Sequence, residues 1–247
     1  MIKQDRMTRS TRKITYLVLA MIALFMVATA FAQDNTSAPL KNGVRTLYLI
    51  RHGAYDFADP QDADTGKALL PLGIAQARMV ADRLRSLPVE MTSLVSSTMT
   101  RARQTALEIN REFPLLMAVR TSLLSECTPE TRSESFNAKL DSSNTSICHA
   151  KLEQAFARYF VPANSDTNKH DIIVCHGNVI RYFVTKVLDV DPRAWLNMTI
   201  DNCGLTVVQI GPDRAMNLVS FNDVGHLPPN LQSRSSMDNI RRKLETP

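Results

Sequence analysis

The stretch Thr46–Gly53, TLYLIRHG, runs through four apolar residues and then ends in a cation, an imidazole and a glycine. A short apolar run bounded by a glycine predicts a buried β-strand. In open α/β sheets, ligands bind beyond the carboxyl ends of such strands. Arg51 offers a planar set of donors that matches a phosphate, and His52 is a nucleophile that can accept a transferred group. The stretch therefore predicts a strand that delivers anion-binding and nucleophilic side chains to one edge of a sheet.

A second predicted strand has the same ending. The segment Asp171–Cys175, DIIVC, is followed directly by His176-Gly177. Between the two strands lie Arg101, in the first turn of a predicted helix, and Glu126, in a predicted loop. Two guanidinium groups and two imidazoles at one edge can stabilise the charge of a phosphoryl group in transfer, and a carboxylic acid can protonate the departing oxygen.

Strands and helices alternate along the rest of the chain. Helices are predicted over about residues 72–87, 99–113, 149–160 and 179–188, and further strands over 91–96, 115–120, 205–210 and 216–221. The polar segment Thr128–Ser146 is predicted to be irregular. This alternation predicts an α/β fold of three layers, in which helices cover both faces of a mostly parallel sheet.

The formal charge of +5 is concentrated at the N-terminus. Residues 1–32 contribute +4 of it, and the remaining chain carries 24 basic against 23 acidic residues. A nearly neutral body has no charged surface for a polyanion, so no nucleic-acid partner is expected.

The first 32 residues have the pattern of an export signal. A basic start is followed by the apolar segment ITYLVLAMIALFMV and then by ATAFA, the three parts of a signal peptide cut after Ala32. The alternative is an uncleaved membrane anchor, because residues 14–32 hold no charge. Cleavage is favoured, since the apolar segment weakens before Ala32, and it predicts a periplasmic or secreted protein. Retention predicts a membrane-anchored one.

The remaining boundaries follow from composition. Residues 33–44 are polar with Pro and Gly and are predicted to be a flexible linker, followed by one domain over 45–235 and a tail over 236–247. The four cysteines fit an oxidising compartment. Cys127 and Cys148 are candidates for a disulfide, whereas Cys175 and Cys203 are expected to be small buried hydrophobic residues. Their spacings match no zinc pattern, and no metal or other cofactor is expected.

The motifs resemble the histidine phosphatase superfamily, which includes cofactor-dependent phosphoglycerate mutases and acid phosphatases. The matching segments are LIRHG at 49–53, LPLGIAQA at 70–77, SSTMTRARQTA at 96–106, LLSE at 123–126 and VCHGNVIRYF at 174–183. Within the superfamily, the chain is most similar to the mitochondrial phosphoglycerate-mutase-like Ser/Thr protein phosphatases. That similarity extends to AWLNMTIDNCGLT at 194–206 and to VGHLPPNLQSRS at 224–235.

The resemblance implies a phosphoglycerate mutase-like fold and a phosphomonoester hydrolase that works through phosphohistidine. It implies that His52 is the phosphorylated nucleophile, and that Arg51, Arg101 and His176 form the phosphate pocket. Glu126 would donate a proton to the leaving group and then help to activate water. The expected partner is a phosphorylated substrate, and phosphorylated Ser or Thr in proteins is one class of it.

The residues are also compatible with other functions. A phosphatase for small phosphate esters or envelope components would need the same chemistry, and a phosphate-binding scaffold without turnover would keep the pocket. The Gly53 amide is expected to add a phosphate contact. Mutase activity is not expected, because the mutases follow RHG with a Glu-Ser-x-Trp-Asn run, whereas residues 54–58 here read AYDFA. The Trp-rich assembly motif of the mitochondrial relatives is absent from residues 33–44, so large assemblies are not expected; the oligomeric state stays open.

Overall fold

The structure is a computed structural model that describes residues 41–234. The predicted signal peptide or anchor, residues 33–40 of the predicted linker and the tail over 236–247 lie outside the described residues. The last residues of the predicted linker are held against the domain, since the Gly43 N–H donates to the Ser165 carbonyl at 2.9 Å. No helix among residues 41–234 is long and apolar enough to cross a membrane.

Six strands form one mixed sheet. They are β1 (Arg45–Arg51), β2 (Ser93–Ser97), β3 (Ala118–Thr121), β4 (Lys169–Cys175), β5 (Leu205–Ile210) and β6 (Met216–Asp223). Their order across the sheet is β3-β2-β4-β1-β5-β6. The first four in that order are parallel, and β5 and β6 are each antiparallel to the preceding neighbour. The prediction of a mostly parallel sheet is confirmed.

Helices cover both faces of this sheet. They are α1 (Pro71–Arg85), α2 (Thr100–Glu112), α3 (Glu134–Asn137), α4 (Ser142–Tyr159) and α5 (Gly177–Val187), with 3-10 turns at Ser122–Leu124, Pro192–Asn197 and Pro229–Leu231. Successive side chains of a strand point to opposite faces. Tyr48 and Ile50 of β1 therefore pack with α1 and α2, while Leu47 and Leu49 pack with α4 and α5. The three-layer prediction is confirmed.

The prediction that Thr128–Ser146 is irregular is wrong. The segment contains α3 and the first turn of α4, which begins at Ser142, seven residues before its predicted start. The Asp141 side chain caps α4 by accepting from the Ser143 and Asn144 N–H groups. The helix buries Thr145, Cys148, Leu152 and Ala155, which have helical spacing. Because the first two are not large apolar residues, the periodicity was hidden in a stretch rich in Ser and Asn.

The four cysteines divide into two pairs with different roles. Cys127 and Cys148 form a disulfide, which joins the loop after the first 3-10 turn to α4. Cys175 and Cys203 are free thiols, and both are buried as predicted.

The loop after β1 lies directly against the start of α1. A Cβ added to Gly73 would stand 1.9 Å from the carbonyl oxygen of Ala54, and one added to Gly53 would stand 2.5 Å from the carbonyl oxygen of Gly73. In both cases the obstacle is backbone and not the end of a flexible side chain. The glycines at 53 and 73 thus let two backbone segments touch where β1 leaves the sheet.

Gly73→Ala is expected to lower the free energy of unfolding by about 2 kcal/mol, because the new methyl group must displace backbone. Alanine is the better helix former by about 1 kcal/mol, so propensity alone predicts the opposite sign. Urea denaturation measures the change. Asp82→Ala, at an exposed position of α1, is the control and should change stability by less than about 0.5 kcal/mol. A Gly73→Ala protein as stable as the parent would contradict the contact.

Candidate active site

The site is assembled at the carboxyl end of the parallel strands. In the register of β1 with β4, Arg51 lies opposite Cys175, so the residues that follow, His52 and His176, leave the sheet side by side. The His52 N–H donates to the Cys175 carbonyl at 3.0 Å, and the centres of the two imidazole rings are 5.1 Å apart. On the other side of β4, β2 ends at Ser97, and α2 begins three residues later with Arg101 in its first turn.

His52 is held with one ring nitrogen free of a proton. Its Nδ1 lies 2.9 Å from the carbonyl oxygen of Gly53, an acceptor only, so Nδ1 carries the proton. The lone pair therefore belongs to Nε2, which accepts from the Arg101 Nε at 3.1 Å. Burial lowers the pKa of His52 well below its ordinary value, and the neighbouring His176 imidazole and the cationic Arg101 and Arg51 lower it further. The imidazole is consequently neutral, as a nucleophile must be.

His176 is the second buried imidazole. Its Nε2 lies 2.8 Å from the Ser97 hydroxyl, whereas its Nδ1 is shielded from solvent and makes no hydrogen bond within residues 41–234. Burial lowers the pKa of His176 well below its ordinary value, with Arg101, Arg51 and Lys151 adding to the shift. An anion bound between these groups would favour the protonated imidazole, which donates from both nitrogens.

Two buried guanidinium groups flank the histidines. Arg51 donates to the Ile200 carbonyl at 2.6 Å, which fixes one arm of its fork. Arg101 is held by its bond to His52 and lies over the ring of Tyr55, with 4.7 Å from its Cζ to the ring centre. Burial lowers the pKa of Arg101, but a guanidinium remains a cation. The N-termini of α2 and α5 open at the same edge and add positive potential for an anion.

Glu126 is a half-buried residue in the loop after the first 3-10 turn. Its Oε1 is shielded from solvent and has no hydrogen-bond partner among residues 41–234. Burial raises the pKa of Glu126, although Arg101, Arg51 and Arg181 pull it down in part. The carboxyl is therefore within electrostatic range of both guanidinium groups of the site. A carboxyl with a raised pKa is suited to hold a proton and to give it away.

The Gly53 amide was expected to face the phosphate pocket, but it is directed to another group. It donates to the Thr105 hydroxyl at 3.0 Å, and that hydroxyl donates in turn to the Arg101 carbonyl at 2.8 Å. The donor that was predicted for phosphate is therefore used to tie the loop after β1 to α2. The glycine is needed at this position for its close contact with Gly73.

Four side chains that the sequence analysis missed also contact the site. They are Tyr55, Ser97, Thr105 and Asn202. Tyr55 packs edge-on against His52, with 5.0 Å between the ring centres, and Asn202 donates to the His52 carbonyl at 3.0 Å. Ser97 and Thr105 lie inside the matched segment 96–106, so their nearness to Arg101 in sequence was a usable signal. Asn202 also lies in a matched segment, 194–206, but its partner His52 is 150 residues away and no pattern pairs the two.

A cavity of about 280 Å³ opens beside Arg51. Its lining is Arg51, Ala54, Tyr55, Phe57, Leu70, Leu72, Asn202, Ser233 and Arg234. A larger cavity of about 420 Å³ lies around His149 and Tyr182 and contains none of the predicted site residues, whereas the smaller cavity is lined by one of them, Arg51. Among residues 41–234, no group of three or more His, Cys, Asp or Glu side chains is arranged to hold a metal ion.

A sheet edge that combines neutral imidazoles, buried guanidinium groups and a carboxyl with a raised pKa defines a class of proteins that handle phosphoryl groups. The family model of the histidine phosphatase superfamily (branch 1) matches residues 47–224, and this chain belongs to that family. The resemblance found in the motifs is thereby confirmed.

Relatives and solved structures agree with this assignment. Serine/threonine-protein phosphatase PGAM5, mitochondrial, of Rattus norvegicus is 31% identical over 224 residues, which cover 88% of this chain and 77% of that protein. Its Caenorhabditis elegans counterpart is 36% identical over 192 residues, covering 75% of this chain and 65% of that protein. The crystal structure of phosphoglycerate mutase from Plasmodium falciparum superposes with a TM-score of 0.54 at 25% identity, covering 76% of this chain and 96% of that one.

Proposed function

We propose that this chain is a phosphomonoester hydrolase that phosphorylates His52 transiently and acts on phosphorylated Ser or Thr residues of proteins. The observation that carries the proposal is the Nε2 of His52: a buried, proton-free nitrogen with the Arg101 guanidinium 3.1 Å away. The protein substrate class is supported by similarity to relatives that are named serine/threonine-protein phosphatases.

In the first step the phosphate is bound by Arg51, Arg101 and His176, and the His52 Nε2 attacks phosphorus. The P–O bond to the substrate breaks, and Glu126 transfers its proton to the departing oxygen. As His52 becomes positively charged, its Nδ1–H bond to the Gly53 carbonyl stabilises the phosphorylated ring. The two guanidinium groups offset the charge that spreads over the phosphoryl oxygens in the transition state.

In the second step a water molecule attacks the phosphohistidine. Glu126, now a carboxylate, accepts the proton of this water, and the P–N bond breaks. Inorganic phosphate leaves, and His52 returns to its neutral form. The same carboxyl acts as acid and then as base, so one cycle restores the protonation of both residues.

Small phosphate esters are the second candidate substrates. The cavity beside Arg51, about 280 Å³ in volume, is slightly smaller than the range of about 300–1,000 Å³ that is typical of small-molecule pockets. Comparing kcat/KM for phosphopeptides and for sugar phosphates separates the two classes. A non-catalytic scaffold is not favoured, because every group that the two steps require is present. Mutase activity finds no support either. The mutase run after RHG contains a Trp, whereas the single tryptophan of this chain, Trp195, is buried elsewhere and donates to the Glu130 carbonyl.

We further propose that the domain over 45–235 is exported. The support is the signal-like pattern of residues 1–32 and the disulfide between Cys127 and Cys148, a bond that persists in oxidising compartments. In this proposal residues 33–44 link the domain to the cleavage site. The alternative remains an uncleaved anchor over residues 14–32.

The intact mass of the protein from its native host is expected to correspond to a chain that starts at Gln33, in the soluble exported fraction. Cleavage after Ala32 removes the apolar segment that would hold the chain at a membrane. A full-length mass in the membrane fraction would overturn cleavage and favour the anchor.

His52→Ala is expected to abolish hydrolysis of p-nitrophenyl phosphate, because no other group can take the phosphoryl from this position. Acid-labile phosphate on the protein, measured after rapid quenching with base, should be lost with it. His149→Ala, which removes an exposed histidine of α4, is the matched control and should leave both readouts intact. Phosphatase activity that survives in His52→Ala would refute the phosphohistidine route.

Glu126→Gln is expected to lower kcat/KM for an alkyl phosphate such as a phosphoserine peptide by about 100-fold, since the leaving alkoxide needs a proton. The effect on p-nitrophenyl phosphate should be much smaller, because its leaving group is stable as an anion. Because its pKa is raised, Glu126 holds its proton to a higher pH than an exposed carboxyl does. The alkyl-phosphate activity should therefore decline as pH rises through this pKa, and Glu126→Gln should remove that decline. Equal losses on both substrates would argue against proton donation.

A further inference from the structure

Both sequence neighbours of Glu126 are fastened to one helix. The Ser125 carbonyl accepts from the Lys151 Nζ at 2.8 Å, and Cys127 is bonded to Cys148 through the disulfide. Cys148 and Lys151 are three residues apart in α4, so they lie on the same face of that helix. The proposed proton donor therefore stands between two attachment points on a single support.

The support itself is rigid. α4 buries Cys148, Leu152 and Ala155 in the core layer that also contains residues of α5. Because the core is closely packed, Cys148 cannot shift unless its neighbours in this layer shift as well. A covalent bond to this position restricts the loop more strongly than a hydrogen bond does.

The Glu126 side chain makes few contacts that fix its own position. Its Oε1 has no hydrogen-bond partner among residues 41–234, although the Asn178 backbone stabilises the carboxylate. Apart from the attachments to α4, further contacts hold the loop. The Asn178 side chain donates to the Cys127 carbonyl at 3.0 Å, the Ser125 N–H donates to the Ser122 carbonyl at 3.0 Å, and the Ser125 hydroxyl lies 3.1 Å from the Thr98 hydroxyl. The position of the carboxyl accordingly depends on where the backbone of residues 125–127 is fixed.

The nucleophile is held by other means. His52 is positioned by its bonds to Gly53, Arg101 and Asn202 and by the pairing of β1 with β4. None of these contacts includes the disulfide or α4. A change at the disulfide should therefore disturb proton donation and leave nucleophilic attack in place.

We infer that the Cys127–Cys148 disulfide is a positioning device for Glu126, and that its reduction lowers the activity of the enzyme toward alkyl phosphates selectively. This inference rests on the proposed function. In the reduction, a dithiol gives two electrons and two protons to the bond, so that Cys127 and Cys148 become thiols and the dithiol becomes a cyclic disulfide. The oxidised enzyme has the full phosphomonoesterase activity, whereas in the reduced enzyme proton donation is weakened and the chemistry that needs no proton donor is kept.

The test compares the enzyme before and after treatment with dithiothreitol on two substrates, a phosphoserine peptide and p-nitrophenyl phosphate. The value of kcat/KM reports the first step, in which the two leaving groups differ. Reduction is expected to lower kcat/KM for the peptide by about tenfold, a part of what general acid catalysis supplies. For the aryl phosphate it should change by less than about twofold, since that step needs no proton donor. The pH above which the peptide activity declines should differ between the reduced and the oxidised enzyme.

The double variant Cys127→Ser, Cys148→Ser provides the control. Its kcat/KM for both substrates should match that of the reduced enzyme. Dithiothreitol should have no further effect on it, because the remaining Cys175 and Cys203 are unbonded and buried. Thermal unfolding of each form sets an assay temperature well below every midpoint. Aryl-phosphate activity at that temperature reports that the variant is folded.

The outcomes separate the two proposals. If the oxidised protein has no phosphatase activity, or if that activity survives in His52→Ala, the proposed function fails. If the activity depends on His52 but the ratio of peptide to aryl activity is unchanged by reduction and by the double variant, only the positioning role of the disulfide is overturned. An equal fall on both substrates would also overturn it, since that result marks a general loss of structure.

Discussion

Seven residues of β1 pair in parallel with β4, from Arg45 beside Lys169 to Arg51 beside Cys175. The register brings His52 next to His176, and both leave the sheet at the edge where the helix N-termini open. A slip of one residue would exchange the two faces of β1, because strand side chains alternate. The apolar residues on both faces of β1 oppose such a slip, since each set packs into its own core layer. The same packing that stabilises the sheet therefore fixes the spacing of the two imidazoles.

Burial at this edge favours the neutral form of the two histidines and of the carboxyl. It lowers the pKa of both histidines, which favours the neutral imidazole that a nucleophile at His52 needs, and it raises the pKa of Glu126, which favours the protonated carboxyl of the proposed proton donor. The two arginines remain cations, and removing them from water is costly. Part of that cost is offset by the Ile200 carbonyl and the Tyr55 ring. A bound phosphate would supply the opposite charge.

The sequence alone revealed the parts of the site that local pattern specifies. The apolar runs that end in Arg51-His52 and in His176 identified two strands, and both lie where they were expected. The start of α4 was missed because polar residues occupy its first turn. The use of the Gly53 amide by Thr105 and the bond from Asn202 to His52 were missed for a different reason. Thr105 and Asn202 each lie in a matched segment, but which distant group their side chains bind depends on how those segments pack, and neither segment specifies it.

The antiparallel direction of β5 brings its beginning, not its end, to the edge where His52 lies. Asn202, just before β5, thereby reaches the His52 carbonyl across 150 residues of chain. During synthesis or passage through a membrane, the nucleophile emerges early, but its surroundings are completed only when nearly the whole domain has followed. A nascent chain shorter than this carries the catalytic motif without a finished pocket. Activity is thus expected only after nearly the whole domain has been synthesised.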